Sequence, residues 1–379
     1  MEINEYLEKK KKIQEGIIQY IEGFNELEED YSNLLCIFID QQIRKDRREL
    51  KATFQLIMQI ANNHNRSPNF FSKIEHIIIQ FKKEILNYYT NSEIFDLFGS
   101  NKRILLFLFE EKMILLNHQI LDTLTNYQYH SLNYDQYFKP EIYSFIESQL
   151  PSENESEMPN DKTKTSESFE KNRKIGENDG KLAQLIQHDL IDEFISYINQ
   201  NNIILSYTIK SSIFETNLFL INKNPSLIEY SAFFGSIQIF KYLYKNKVKL
   251  TPSLWIYGVH GQDPEIIKIL EEESIVPDDE TFTNCLIESI KCHHIETTNY
   301  IQRNFIHNEY NQKVSTEAIK RHNYLFFPDP KKLKNFFFYF CSYDYLSIVE
   351  FLLRDEDLNV NLENQNHDVT YKISNQKLF

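Results

Sequence analysis

The chain has 379 residues, enough for two or three folding units. Its 41% hydrophobic and 25% charged residues match neither a disordered polyelectrolyte nor an integral membrane protein. A formal charge of −14, from 41 Lys+Arg against 55 Asp+Glu, argues against a general affinity for nucleic acid or anionic membranes.

Glycine (8) and proline (10) are scarce beside ordinary usage of roughly 7% and 5%, which disfavours turn-rich sheets and predicts an all-α protein. Residues 1–150 form the first expected unit, an N-terminal helical domain. Ile3, Tyr6, Leu7, Ile13, Ile17, Ile18, Ile21 and Phe24 recur mostly at three- and four-residue steps and so share one stripe of a helix. Ser67 and Pro68 predict a helix start ahead of Ile74, Ile77, Ile78, Phe81 and Ile85. Ser92 is placed as the cap of a short helix bearing Ile94, Phe95 and Phe98, with Gly99 as its stop. Arg103 to Leu116 is apolar nearly all round and is expected to be the central helix of this region. Pro140 opens a further helix with Ile142, Phe145 and Ile146. Residues 151–178 are mostly Ser, Glu, Asn, Thr and Lys. Such a stretch has too little apolar surface to offset the entropy of ordering, so a disordered polar linker is predicted.

From 179 to 361 the informative signal is internal similarity. Segments ending on Ile198, Leu243, Leu270, Ile301 and Leu352 share one apolar pattern; the inner spacings of 27 and 31 residues fall just short of a period of about 33 residues, and the outer ones exceed it. A shorter helix precedes the anchor helix in Leu227 to Gly235, Leu254 to Gly261 and Leu286 to His293. Ser231, Ala232, Gly258 and Ser289 are small enough for antiparallel helices to approach closely, and Gly235 or Gly261 is expected to make the turn. A hairpin of this size cannot bury its apolar face alone, so a stack of hairpins, a solenoid, is the predicted solution. Residues 362–379 are expected to be a C-terminal tail.

Pro225 to Leu243, and Ser347 to Leu353 with Leu358 to Asn361, resemble degenerate ankyrin repeats. Ser206 to Asn217, Leu227 to Leu243, Ser253 to Glu271, Leu286 to Tyr300 and the upstream run Asn101 to Lys112 are similar to a large protist ankyrin-repeat family, in which an uncharacterised helical domain precedes the repeats. The resemblance implies an ankyrin-like helix-hairpin solenoid that binds another protein through its concave face. No unit carries Thr-Pro-Leu-His; Glu229, Trp255 and Ile287 occupy the His place. These three are the candidate partner-binding residues, with Trp255 at a solvent-leaning position.

Cys285, Cys292, His293 and His294 are the one cluster that invites a metal test, but adjacent histidines point apart and a structural role is expected. No Gly-x-Ser-x-Gly, Gly-x-x-x-x-Gly-Lys or His-Glu-x-x-His is present. No catalytic, cofactor or metal residue is therefore assigned, and Cys36, beside Leu35 and Phe38, is expected to be a buried inert thiol. Scattered cysteines, an N-terminus without an apolar signal segment and a longest apolar run of Ile104 to Phe109 predict a soluble, cytoplasmic chain without integral membrane association. The expected function is a non-enzymatic protein-interaction module or scaffold. The alternative is an enzyme or enzyme subunit whose site lies in the N-terminal helical domain.

Overall fold

The computed structural model describes residues 3–23, 43–64, 69–126, 132–149, 166–306 and 312–354. Phe24, Cys36, the Ser67–Pro68 cap, the tail 362–379 and the Leu358 to Asn361 portion of the last repeat lie outside them. Among the described residues every regular element is a helix, and the one β-contact is an isolated antiparallel bridge between Thr208 and Ser226. No helix among them is long and apolar enough to cross a membrane.

The N-terminal body begins with the Ile3–Glu22 helix, whose predicted stripe is buried from Tyr6 to Ile21. It packs on the Phe70–Ile79 helix, which packs in turn on Lys102–Glu110. The short Asn91–Phe98 helix is capped by Thr90 and Glu93 in a reciprocal box, not by Ser92, which lies inside the first turn. Gly99 has an ordinary right-handed φ of −64°; it is needed because a Cβ would meet the Phe95 carbonyl at 2.6 Å. The central helix is shorter than the apolar run. Asn101 accepts from the Arg103 and Ile104 amides to start it, and the left-handed Lys112 (φ 55°) ends it, so that Met113 and Ile114 enter the core without helical backbone. The Lys139–Gln149 helix buries Ile142 but leaves Ile146 at 40% exposure.

The linker expectation is corrected from residue 166 onward. Ser166 accepts from the Phe169 amide and caps a helix, Glu167–Ile175, which ends on the left-handed Gly176. Its anchor is ionic. Arg173, 3% exposed, pairs with Glu141 and Glu170 and donates to the Tyr137 carbonyl. An apolar count overlooks a segment held by one buried guanidinium. Residues 150–165 are outside the described set.

Four antiparallel hairpins follow. They join Lys181–Gln187 to Ile191–Gln200, Leu227–Phe234 to Ile237–Lys245, Leu254–Gly261 to Pro264–Glu272, and Thr283–Lys291 to Ile295–Asn304. Their first helices touch one another in chain order, and the row continues through Gln312–Lys320 to Phe337–Ser342, which pairs with Leu346–Leu352. The uneven spacing of the anchors now has a cause. Residues 201–226 form a helix-free excursion between the first two hairpins, and Gln312–Lys320 is followed by the 3-10 turns Tyr324–Phe326 and Pro330–Phe336 in place of a second α-helix.

Gly235 makes its turn with φ 65°, but Gly261 does not. There the left-handed residue is Gln262 (φ 55°), while a Cβ on Gly261 would lie 2.0 Å from the Ala232 carbonyl of the preceding hairpin. Gly261 therefore sets the distance between neighbouring hairpins rather than the turn.

The cores divide the chain differently from the expected domains. Most buried apolar residues from Leu182 to Ile301 share one cluster, but Phe214, Ile319, Tyr324, Leu333, Phe336, Phe340, Ile348 and Leu352 belong to the cluster of the N-terminal body. The end of the row thus folds onto the beginning of the chain, where Ser347 donates to Glu49 at 3.0 Å and Lys51 pairs with Asp344 at 2.7 Å.

Candidate functional site

The last carbonyls of a helix have no partner within it, and the row uses them as joints. Ser236 Oγ donates to the Ile186 carbonyl at 2.5 Å, His294 Nδ1 to Val259 at 2.9 Å, Asn323 Nδ2 to Ile290 at 2.8 Å and Tyr345 OH to Ile319 at 2.7 Å. Each donor follows a left-handed residue, Gly235, His293, His322 or Asp344, so one turn geometry aims each side chain at the first helix of the preceding unit. Asp189 adds a second tie between the first two hairpins by accepting from the Gln238 and Ile239 amides at 3.0 Å. Between the second and third hairpins the corresponding residue, Asp263, caps its own helix, and the direct approach of Gly261 to Ala232 makes the contact.

The three candidate partner-binding residues do not form one exposed face. Trp255 is 1% exposed, which corrects its solvent-leaning placement. Its Nε1 donates to the Ile275 carbonyl at 2.6 Å, and its ring meets Phe282 and Phe305 edge-on at 4.8 and 5.5 Å. The physical reason is that an aromatic with a single polar atom is satisfied by one carbonyl and can then be fully buried. Glu229 is half-buried; it closes the Ser226 capping box and accepts from Ser253 Oγ at 2.7 Å, tying two hairpins together at their helix starts. Ile287 is also half-buried.

Of the cysteine and histidine cluster, the residues disperse. Cys285 is buried, and its thiol is pushed up to about 12 by burial. His293 accepts from Gln14 Nε2 at 3.1 Å and donates from Nε2 to the Arg321 carbonyl at 3.1 Å. Cys292 instead meets a residue that sequence reasoning did not associate with it. Its Sγ lies 3.4 Å from Nδ1 and 3.8 Å from Nε2 of His260, and His260 Nε2 is 3.0 Å from Glu288 Oε1. Lys291 Nζ is 2.9 Å from the same carboxylate oxygen. Burial disfavours ionisation of Glu288, but the His260 hydrogen bond and the Lys291 ammonium outweigh it and hold the carboxyl low. Burial pushes the His260 imidazole down and the Cys292 thiol well up. A thiol in that state is not an activated nucleophile, although the order Cys–His–Glu is that of a triad. The signal available in sequence was Glu288 and Cys292 four apart, on one side of a helix; His260 joins them only because successive hairpins stack.

Two depressions lie on the surface of the row. One, about 550 Å³, is an open groove across the ends of the second and third hairpins, lined by Tyr244, Lys245, Lys247, Val248, Leu250, Glu273 and Ile275. The other, about 230 Å³, lies between the Glu167–Ile175 helix and the first hairpin, and the residues lining it include Asn172, Ile175, Glu177, Asp179 and Gln187. The chain matches no family model, no curated protein and no solved structure.

Proposed function

We propose that the chain is a non-enzymatic protein-binding module, built as a degenerate ankyrin-like stack that holds a partner along its row of hairpins. The observation that carries this reading is the open groove over the second and third hairpins, with an apolar floor of Val248, Leu250 and Ile275 and a charged rim of Lys245, Lys247 and Glu273. Support for the ankyrin-like character comes from short antiparallel hairpins whose first helices touch in chain order, and from the left-handed residue that ends the first helix of each unit. Repeats of this kind offer extended surface rather than a closed pocket. The free thiols Cys285, Cys292 and Cys341 support a reducing setting.

The test is affinity capture from the chain's own cells, comparing wild type with a Tyr244→Ala/Val248→Asp groove variant and a Lys268→Ala control. Lys268 is a 72% exposed side chain on the third hairpin and is not among the groove residues. A partner held by wild type and by the control, but lost by the groove variant, supports the reading. Equal capture by all three folded proteins overturns it.

A further inference from the structure

We propose that His260, Glu288 and Cys292 form a binding site for a divalent cation of the zinc class, which clamps the third hairpin to the fourth. The donor set is the first ground. An imidazole nitrogen, a thiol sulfur and a carboxylate oxygen lie within 4.8 Å of one another, and these are the ligand types zinc takes. Geometry is the second. With bonds of about 2.0–2.3 Å, a tetrahedral zinc ion has ligand atoms roughly 3.3–3.7 Å apart. The Nε2 to Oε1 separation of 3.0 Å and the Sγ to Nε2 separation of 3.8 Å bracket that range, and all three ligand atoms lie within 4.8 Å, so side-chain rotation has to bring the Cys292 sulfur and the Glu288 oxygen together.

Placement is the third ground. Glu288 and Cys292 are one helical turn apart, which puts both on one face, and His260 comes from the end of the adjacent first helix. His260 and Cys292 are fully buried, whereas the Glu288 side chain keeps 14% exposure. The carboxylate side therefore gives the ion a way in and leaves room for a water as fourth ligand. The charges balance: the cation's two positive charges meet the Glu288 carboxylate and the Cys292 thiolate, the thiol proton leaves to solvent, and Lys291 gives up its place on Oε1. No redox change or co-reactant is required. A cation held this way would cross-link two units that also share apolar packing and the His294 to Val259 and Tyr300 to Glu271 hydrogen bonds.

Tag-free full-length protein, stripped with a chelator and desalted, is titrated with Co(II) and then with Zn(II). The expected result is one Co(II) per chain with a near-ultraviolet sulfur-to-cobalt charge-transfer band, displaced by one equivalent of Zn(II). Cys292→Ser abolishes the band, Cys285→Ser and Cys341→Ser retain it, and Glu288→Gln weakens binding by about tenfold or more, at the lower end of what loss of a supporting residue costs a metal site. Absence of the band in wild type overturns the proposal, as does a band that survives in Cys292→Ser. If Cys292→Ser does not fold by circular dichroism, the Glu288→Gln titration decides, and unchanged affinity there overturns it.

Discussion

Around Trp255 the contact between the third and fourth hairpins is dry: the indole stands edge-on to Phe282 and Phe305, which stack on each other at 4.1 Å. Where the fourth hairpin meets the N-terminal body the contact is polar. Gln14 donates to Asn323 at 2.7 Å and to His293 at 3.1 Å, and His64 Nδ1 donates to the Cys292 carbonyl at 2.8 Å. Both surfaces are buried, but they fail in different ways. The dry joint loses stability when volume is removed. The polar seam requires the His293 and His322 imidazoles to stay neutral, so it is vulnerable to protons.

Acid is therefore the strongest way to separate the two. Burial holds His293 and His322 at about 3, and His294 also well below the ordinary 6.5. Around them, His64 and Arg321 oppose the charged form of His293, and Lys10 opposes that of His322 while Asp344 favours it. Because the folded values lie below the unfolded ones, the associated stability is fully present above pH 6.5 and is lost as pH falls from 6.5 toward 3. Each unit of such a shift is worth about 1.4 kcal/mol, so His293 and His322 together exceed any single truncation. Urea unfolding should show a midpoint that is flat above pH 7 and falls steeply from pH 6 to 4. Amide exchange in Ile3–Glu22 should rise before that in Leu254–Gly261. Simultaneous opening of both regions would remove the distinction between seam and joint.

Next in size is Trp255→Ala, which empties the dry joint and should lower stability by about 3–5 kcal/mol at neutral pH. Trp255→Phe keeps most of the volume and leaves the Ile275 carbonyl without its donor, for a smaller loss of about 1–3 kcal/mol. Chemical denaturation of the two variants measures both. A neutral Trp255→Ala would mean that the indole lies at the surface after all. The smallest effect is that of Tyr345→Phe, which deletes one joint hydrogen bond to Ile319 while keeping the ring; a loss of about 1 kcal/mol is expected. A Tyr345→Phe protein as stable as wild type would show that the carbonyl ties are incidental to the stack.

Much of this was legible in the residues, and the parts that were not share a cause. The stripe of the first helix, the shortage of glycine and the paired helices around Leu243, Leu270 and Ile301 are local patterns, and each lies where periodicity puts it. Trp255 was misplaced because repeat position says which way a residue faces in an average unit, not which carbonyl waits opposite. The 151–178 stretch was misjudged from 166 on because one buried Arg173 with two carboxylates does what several leucines would otherwise do. The Cys292 contact was missed because adjacency in sequence pointed to His293 and His294, which face Gln14 and Val259 instead.

The order of the amino acids alone determined that the chain is helical and that its second half is a series of short hairpins. These follow from backbone preferences and apolar spacing within a dozen residues. Tertiary structure alone decided that the last helices share a core with the first, that Gly261 spaces two hairpins rather than turning one, and that His260, Glu288 and Cys292 meet. Such contacts join residues tens to hundreds of positions apart, and their energy depends on what lies across an interface, which no local pattern encodes.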